Sequence, residues 1–217
     1  MYMVNIKKYK NDGWGLSQQC LLDILNILND IDKSRINVVE FGSDISTEFL
    51  VDLITLNNFQ LNIVSFDNDK HFATKVKHNN LKLYITDLLE TTDENFNLMF
   101  KQKKIDKSLF SIKKTAFSTK QRNCFYDIKN YMLPSSIDLV ILDGPNGNGR
   151  SIAFLYLMNK MADNSYIVID DYNHYDFIER FASIFKNIEL IYELTSKINS
   201  IGNKWKTGGN YKIYKII

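Results

Sequence analysis

The stretch Ile36-Asn37-Val38-Val39-Glu40-Phe41-Gly42-Ser43-Asp44-Ile45-Ser46-Thr47 runs from a short apolar, β-rich segment through a glycine turn into a helix-forming segment. A run of that kind, bounded by turn residues, suits a strand buried in a parallel sheet. Gly42 permits close backbone approach, and Ser46 or Thr47 suits the N-cap of a helix over residues 47–54.

Outward from this stretch the same unit recurs. Residues 61–66 read as a strand, 69–78 as a helix and 81–85 as a strand. Farther on, 137–142 is a strand, 151–161 a helix, 166–169 a strand and 175–185 a helix. Before the first strand, Ser17 caps a stripe formed by Cys20, Leu21, Ile24, Leu25, Ile27 and Leu28, which is helical spacing. Strands alternating with helices imply a parallel sheet with right-handed crossovers. The ending breaks the alternation. Residues 188–194 and 211–217 are both strand-like, and the connector with Gly202, Gly208 and Gly209 holds no readable helix. Two final strands without a crossover helix pair antiparallel or lie in different sheets.

Composition narrows the class. The chain has 217 residues, 45% hydrophobic and 24% charged, with a net charge of +2. That is one sizeable α/β domain, with no global field of the sort nucleic-acid binders carry. No apolar run reaches the ~18 residues of a membrane span, and the N-terminus lacks the apolar core of a secretory signal. The two cysteines, Cys20 and Cys124, match no zinc spacing and read as reduced, buried small hydrophobes, so a cytoplasmic setting is expected. Residues 86–136 are too long for a simple crossover. Lys101, Lys103, Lys104, Lys107, Lys113, Lys114, Lys120 and Arg122 are interleaved there with Phe100, Phe110, Ile112 and Phe117. Such a segment is read as an insertion over the C-terminal edge of the sheet, or as a solvated charged excursion.

Ligands of doubly wound sheets bind beyond the carboxyl ends of the strands. Each strand here ends in an acid: Glu40 in the first, then Asp67, Asp87, Asp143, and the pair Asp170 and Asp171. Singly, each also suits a turn or a helix cap. Collectively they mark a site. Asp143, Asp170 and Asp171 would stand on adjacent strands about 4.8 Å apart. Three carboxylates without His or Cys suit a hard cation such as Mg²⁺. In the competing reading, Asp143 contacts cofactor or acceptor and the Asp pair caps the next helix. Arg150, at the end of DGPNGNGR, either forks onto an anionic acceptor or is solvated near a helix start.

VVEFGSDIST resembles the first motif of the class I S-adenosylmethionine-dependent methyltransferases, in the subgroup reading roughly E-F-G-S-G-x-S-T. DLVILDGPNGNGR and YIVIDDYNHYDF resemble that subgroup's Asp-Gly-Pro…Arg and Asp-Asp motifs. The resemblance covers most of the chain from Ile36 onward apart from the insertion, and Asp44 departs from it where the pattern has its second glycine. It implies a class I methyltransferase-like α/β fold, a doubly wound, mostly parallel seven-stranded sheet with a C-terminal antiparallel hairpin. A single domain over 1–217 is expected, with an N-terminal helical extension over 1–35 and a basic insertion or lid over about 88–124. S-adenosylmethionine would then lie against Glu40, Gly42, Ser43, Asp44, Ser46, Thr47, Asp67, Asp87 and Asp143. Asp67 would accept from both ribose hydroxyls, and Asp87 with Leu88 would border the adenine. The metal-dependent O-methyltransferases place acids at the ends of the fourth and fifth strands, and Asp143, Asp170 and Asp171 match those positions, the last of which is commonly Asn there. Without metal, Asp143 or His174 would be the base. Arg150 and the insertion hint at an anionic acceptor, either a small molecule or a glycan.

Two other readings compete. A nucleic-acid-associated module would use the lysines and aromatics of the insertion, against which the near-neutral charge argues. A non-catalytic chain retaining only the fold would explain Asp44. A nicotinamide-dependent oxidoreductase is disfavoured, since no G-x-G-x-x-G follows the first strand.

Overall fold

The computed structural model describes residues 4–10, 15–112, 123–195 and 209–217. Lys113, Lys114, Phe117, Lys120, Arg122, Gly202 and Gly208 lie outside them.

The main sheet has seven strands. They are β1 (Ile36–Phe41), β2 (Leu61–Asp67), β3 (Leu81–Ile85), β7 (Ile137–Leu142), β8 (Met161–Asp170), β9 (Ile188–Leu194) and β10 (Tyr211–Ile216). Their order is β3-β2-β1-β7-β8-β10-β9. The ladders joining β3, β2, β1, β7 and β8 are parallel, while β10 runs antiparallel to both β8 and β9. The order reverses between β1 and β7, so the carboxyl ends of these two strands border the switch point. The β7 strand is buried along its whole length, as a central strand with both faces covered must be.

Each face has its own apolar layer. On one side α1 (Gln18–Asp30) and α2 (Ile45–Asn57) bury Leu21, Ile24, Leu28, Phe49, Leu50 and Leu53 against Val38, Ile63, Leu139 and Val168. Ser17 caps α1 as expected, its Oγ accepting from the Cys20 N–H at 3.2 Å. On the other side α3 (Asp93–Gln102), α4 (Ile152–Leu157) and α5 (Phe177–Ile184) cover Val39, Phe41, Val140, Ile167 and Ile169. Cys20 and Cys124 are buried free thiols. No helix among the described residues is long and apolar enough to cross a membrane.

Three expectations fail locally. The helix expected over 69–78 is a turn followed by extended chain. There Asp67 Oδ1 takes the Asp69 N–H at 2.8 Å, and Asp69 Oδ1 takes the His71 N–H at 2.8 Å. These side chains offer the backbone local partners that compete with a helical ladder. The helix expected over 151–161 is a 3₁₀ turn, Asn148–Ser151, followed by α4, which stops at Leu157; β8 already begins at Met161. Ser46 and Thr47 do not cap α2. Asp44 holds that position without a side-chain cap bond, and both hydroxyls turn inward to Glu40.

The segment between β3 and β7 contains α3 and a small antiparallel sheet in the order β5-β4-β6, formed by β4 (Leu88–Glu90), β5 (Ser111–Ile112) and β6 (Cys124–Tyr126). Thr92 caps α3, accepting from Asn95 N–H at 3.2 Å, and Asp93 and Glu94 in its first turn complement the helix dipole. Phe96, Met99, Phe100, Phe125 and Tyr126 join the apolar layer under α5, whereas Lys101, Lys103, Lys104 and Lys107 face solvent.

Candidate active site

Glu40, at the end of β1, is completely buried. Its carboxylate accepts from Ser46 Oγ and Ser65 Oγ, each at 2.6 Å, and from the Thr47 hydroxyl. Burial pushes its pKa up to about 7, although the three hydroxyls pull the other way. Glu40 is thus an internal strut that fixes the first turn of α2 to β1 and β2. Ser46 and Thr47, fully buried themselves, belong to the strut.

Beyond Glu40 the chain turns at Gly42, whose φ is +97°. A Cβ there would lie 2.7 Å from the Gly144 nitrogen, so the two strand-end turns touch and only glycine fits. The Ser43 N–H meets Asp67 Oδ2 at 3.0 Å, while Asp67 Oδ1 holds Asp69. Asp67 therefore faces the Gly42 turn. Burial raises its pKa against three backbone N–H groups that lower it. Ser43 Oγ lies 3.2 Å from Thr47 Oγ1 and accepts from the Thr74 N–H at 3.4 Å, which stitches the loop after β2 onto the same turn. Asp44 points to the N-terminal segment, its Oδ2 lying 2.9 Å from where a Cβ on Gly15 would stand. Asp87 is exposed at the end of β3, and its carbonyl accepts from the Asp127 N–H at 2.9 Å.

Asp143 follows β7, extending the ladder with its N–H on Phe41 O at 2.9 Å, and is partly exposed. Its carboxyl meets that of Asp170, which is 2% exposed. Burial raises the pKa of both. The charge of Asp143 adds to the rise at Asp170, so the two carboxyls do not both ionise readily. The sequence leaves Arg150 either on an anionic acceptor or solvated near a helix start. Instead it is 5% exposed and donates from Nε to Pro145 O at 3.1 Å and from Nη1 to Asp170 O at 2.9 Å. Its guanidinium also lies 5.4 Å from the Phe177 ring. It clamps the turns after β7 and β8 together and offsets the charge of the acid pair.

The metal expectation fails on geometry. Asp171 sits at φ 51° with its carboxylate 3.6 Å from His174 Nδ1, and its charge raises the pKa of both Asp143 and Asp170. Among the described residues no group of three or more His, Cys, Asp or Glu side chains is arranged to hold a metal ion. His174 stands in the exposed turn after β8 with Asp171 beside it.

The residue that motif reasoning missed is Tyr126, from β6. It is 2% exposed, and its ring stacks on Phe41 with centroids 6.1 Å apart. Its hydroxyl stands against Gly144 at the position a Cβ there would need; that Cβ would also lie 2.9 Å from Gly42 Cα. Burial pushes the phenol well above its ordinary pKa, and Asp67, Arg150, Asp143 and Glu40 all act on it electrostatically. Only the pairing of β6 with β4, Leu88 opposite Tyr126, brings it there. Two open clefts of about 370 Å³ each lie elsewhere, one around Asp176 and Arg180, the other around Glu90 and Phe110.

No protein-family model and no curated protein sequence matches the chain. Solved structures do match in shape. A precorrin-6y C5,15-methyltransferase from Geobacter metallireducens is 11% identical, with a TM-score of 0.55, over 99% of this chain and 100% of that one. A probable spermidine synthase from Corynebacterium glutamicum is 12% identical, with a TM-score of 0.45, over 94% of this chain and 65% of that one. The first likeness, the sheet order and the reversed β10 define the fold: the methyltransferase version of the Rossmann-like sheet.

Proposed function

We propose that the chain is an S-adenosylmethionine-dependent methyltransferase acting on a hydroxyl oxygen of a small polar acceptor, with sugars and phosphorylated compounds included in that class. The observation that carries this reading is Asp67. Its carboxylate is held 3.0 Å from the Ser43 N–H of the Gly42 turn, beside the switch point of a methyltransferase-type sheet. A carboxylate at that place offers two acceptors to a vicinal diol. Gly42 and Ser43 would border the methionyl part and Asp87 the adenine, with Glu40, Ser46 and Thr47 supporting the turn from behind. Asp44 would stand at the outer end of the turn, near the N-terminal segment.

The bound donor supplies an already activated sulfonium methyl group. The protein's own part is to align the acceptor and take its proton. Asp143 is the partly exposed member of its pair, so it is the proposed base; His174, backed by Asp171, is the second candidate. With Arg150 committed to Pro145 and Asp170, an anionic group on the acceptor would have to be met by other residues.

Isothermal titration with S-adenosylmethionine and its demethylated product tests the reading. Saturable 1:1 binding is expected, weakened roughly tenfold or more by Asp67→Asn, about 1.4 kcal/mol per tenfold. Absence of heat at millimolar ligand, in the chain and in a variant relieved of Tyr126, would refute it. A chain that retains only the fold is the second reading, favoured by Tyr126 lying across the turn.

A further inference from the structure

We propose that Tyr126 is a gate: the β4–β6 pair holds its hydroxyl across the Gly42 and Gly144 turns, and the methyl donor binds only after this strand withdraws. The inference rests on the donor-binding reading above.

Three observations support it. First, the position is central. The hydroxyl lies within clashing distance of where a Gly144 Cβ would stand, a position itself 2.9 Å from Gly42 Cα, and the charges of Asp67, Arg150, Asp143 and Glu40 act on it. A neutral O–H between the two turns that border the proposed donor site offers the same donor group that ribose hydroxyls would bring, so phenol and nucleoside compete for one place.

Second, the strand pairing that carries Tyr126 is short. It belongs to a three-stranded sheet whose β4–β6 ladder pairs three residues on each strand and whose β5 has two residues, both exposed. Sheets of that size are marginal by themselves.

Third, the strand is tied to the far end of the proposed donor site. The Asp127 N–H bonds Asp87 O, and Thr86 Oγ1 bonds Asp127 O, both at 2.9 Å. The Thr86 N–H in turn bonds Asp67 O at 2.9 Å. A nucleoside seated on Asp67 and Asp87 would therefore bear on the segment that carries Tyr126. The ring can be displaced at a cost that binding must meet, which lowers the apparent affinity by the fraction of open chains.

The test compares the full chain with Tyr126→Ala and Tyr126→Phe, using S-adenosylhomocysteine as the probe in titration and stopped-flow. The gate predicts at least tenfold tighter and faster binding for Tyr126→Ala, with Tyr126→Phe in between because its ring remains. Equal or weaker binding by a folded Tyr126→Ala chain overturns the gate and leaves donor binding standing. Absence of binding by all three chains removes the donor-binding reading itself. If Tyr126→Ala fails to fold by circular dichroism, hydrogen exchange on the unmutated chain decides. Faster exchange at residues 88–90 and 124–126 on saturation with the probe supports the gate, and protection there overturns it.

Discussion

At the scale of single residues, Glu40 shows how a motif residue's place can be legible while its surroundings are not. Its position at the end of β1 was legible from the apolar run before it. The three hydroxyls that enclose it were not, because Ser65 comes from β2 and meets Glu40 only through the strand register that sets the two opposite each other. The enclosure has a consequence for stability. With the folded-state pKa raised from 4.5 to about 7, the folded chain keeps a proton that the unfolded chain releases across that window. Stability therefore falls as pH rises from about 4.5 to about 7, at about 1.4 kcal/mol per unit, and Glu40 adds no slope above it. Integrated, this is about 3 kcal/mol. Glu40→Gln removes the titration while keeping the shape. Urea unfolding of both chains at several pH values is expected to show a flatter profile for the variant between pH 4.5 and 7. Asp67, Asp143 and Asp170 contribute the same sign to both chains and cancel in the difference. Parallel profiles would place the proton elsewhere.

At the scale of elements, the strands were legible where the chain is apolar on both faces. The β1 and β7 strands stand at the residues their composition marks, since a centrally buried strand needs an unbroken apolar run, while β3 and β9, at the edges of the sheet and only partly buried, are marked by their β-rich runs between turns. The helix expected over 69–78 was not, because its Asp and Thr side chains satisfy the backbone locally instead of leaving it to a ladder. The small sheet escaped notice because its strands are too short to show a period and its pairing joins distant stretches of chain. Besides the packing of Phe125 and Tyr126 on Phe41, one backbone contact ties it to the main body. The 3₁₀ turn at Asn148–Ser151 presses Gly149 onto the backbone of Cys124, where an added Cβ would collide with both the nitrogen and the carbonyl oxygen. Backbone cannot yield as a long side chain can. Gly149→Ala is accordingly expected to undock β6, costing about 2–4 kcal/mol by the scale of overpacked cores. A melting temperature within a degree of the parent chain would show that the contact relaxes freely.

At the scale of the whole molecule, stability is set by two apolar layers that share the central strands, and the small sheet belongs to only one of them. The β1 and β7 strands are hydrogen-bonded on both edges and covered on both faces. The amides of Val38, Val39, Leu139 and Val140 can exchange only when both layers part. Those of Leu88–Glu90 and Cys124–Tyr126 sit in three-residue ladders with an exposed β5 at one edge, although Phe125 and Tyr126 reach into the core beneath. Native-state hydrogen exchange should then resolve two levels. The central strands should exchange at the global free energy, typically 5–15 kcal/mol for a domain, and the small sheet at a level lower by roughly 2 kcal/mol or more. Titrating denaturant sharpens the contrast, because opening the small sheet exposes little surface and its exchange should depend only weakly on urea. A single isotherm for both sets would mean that β6 opens only when the whole chain does, which is incompatible with a strand that swings aside to admit a ligand. Two isotherms would place Tyr126 on the less stable of two cooperative units, at the carboxyl edge where the proposed donor has to enter.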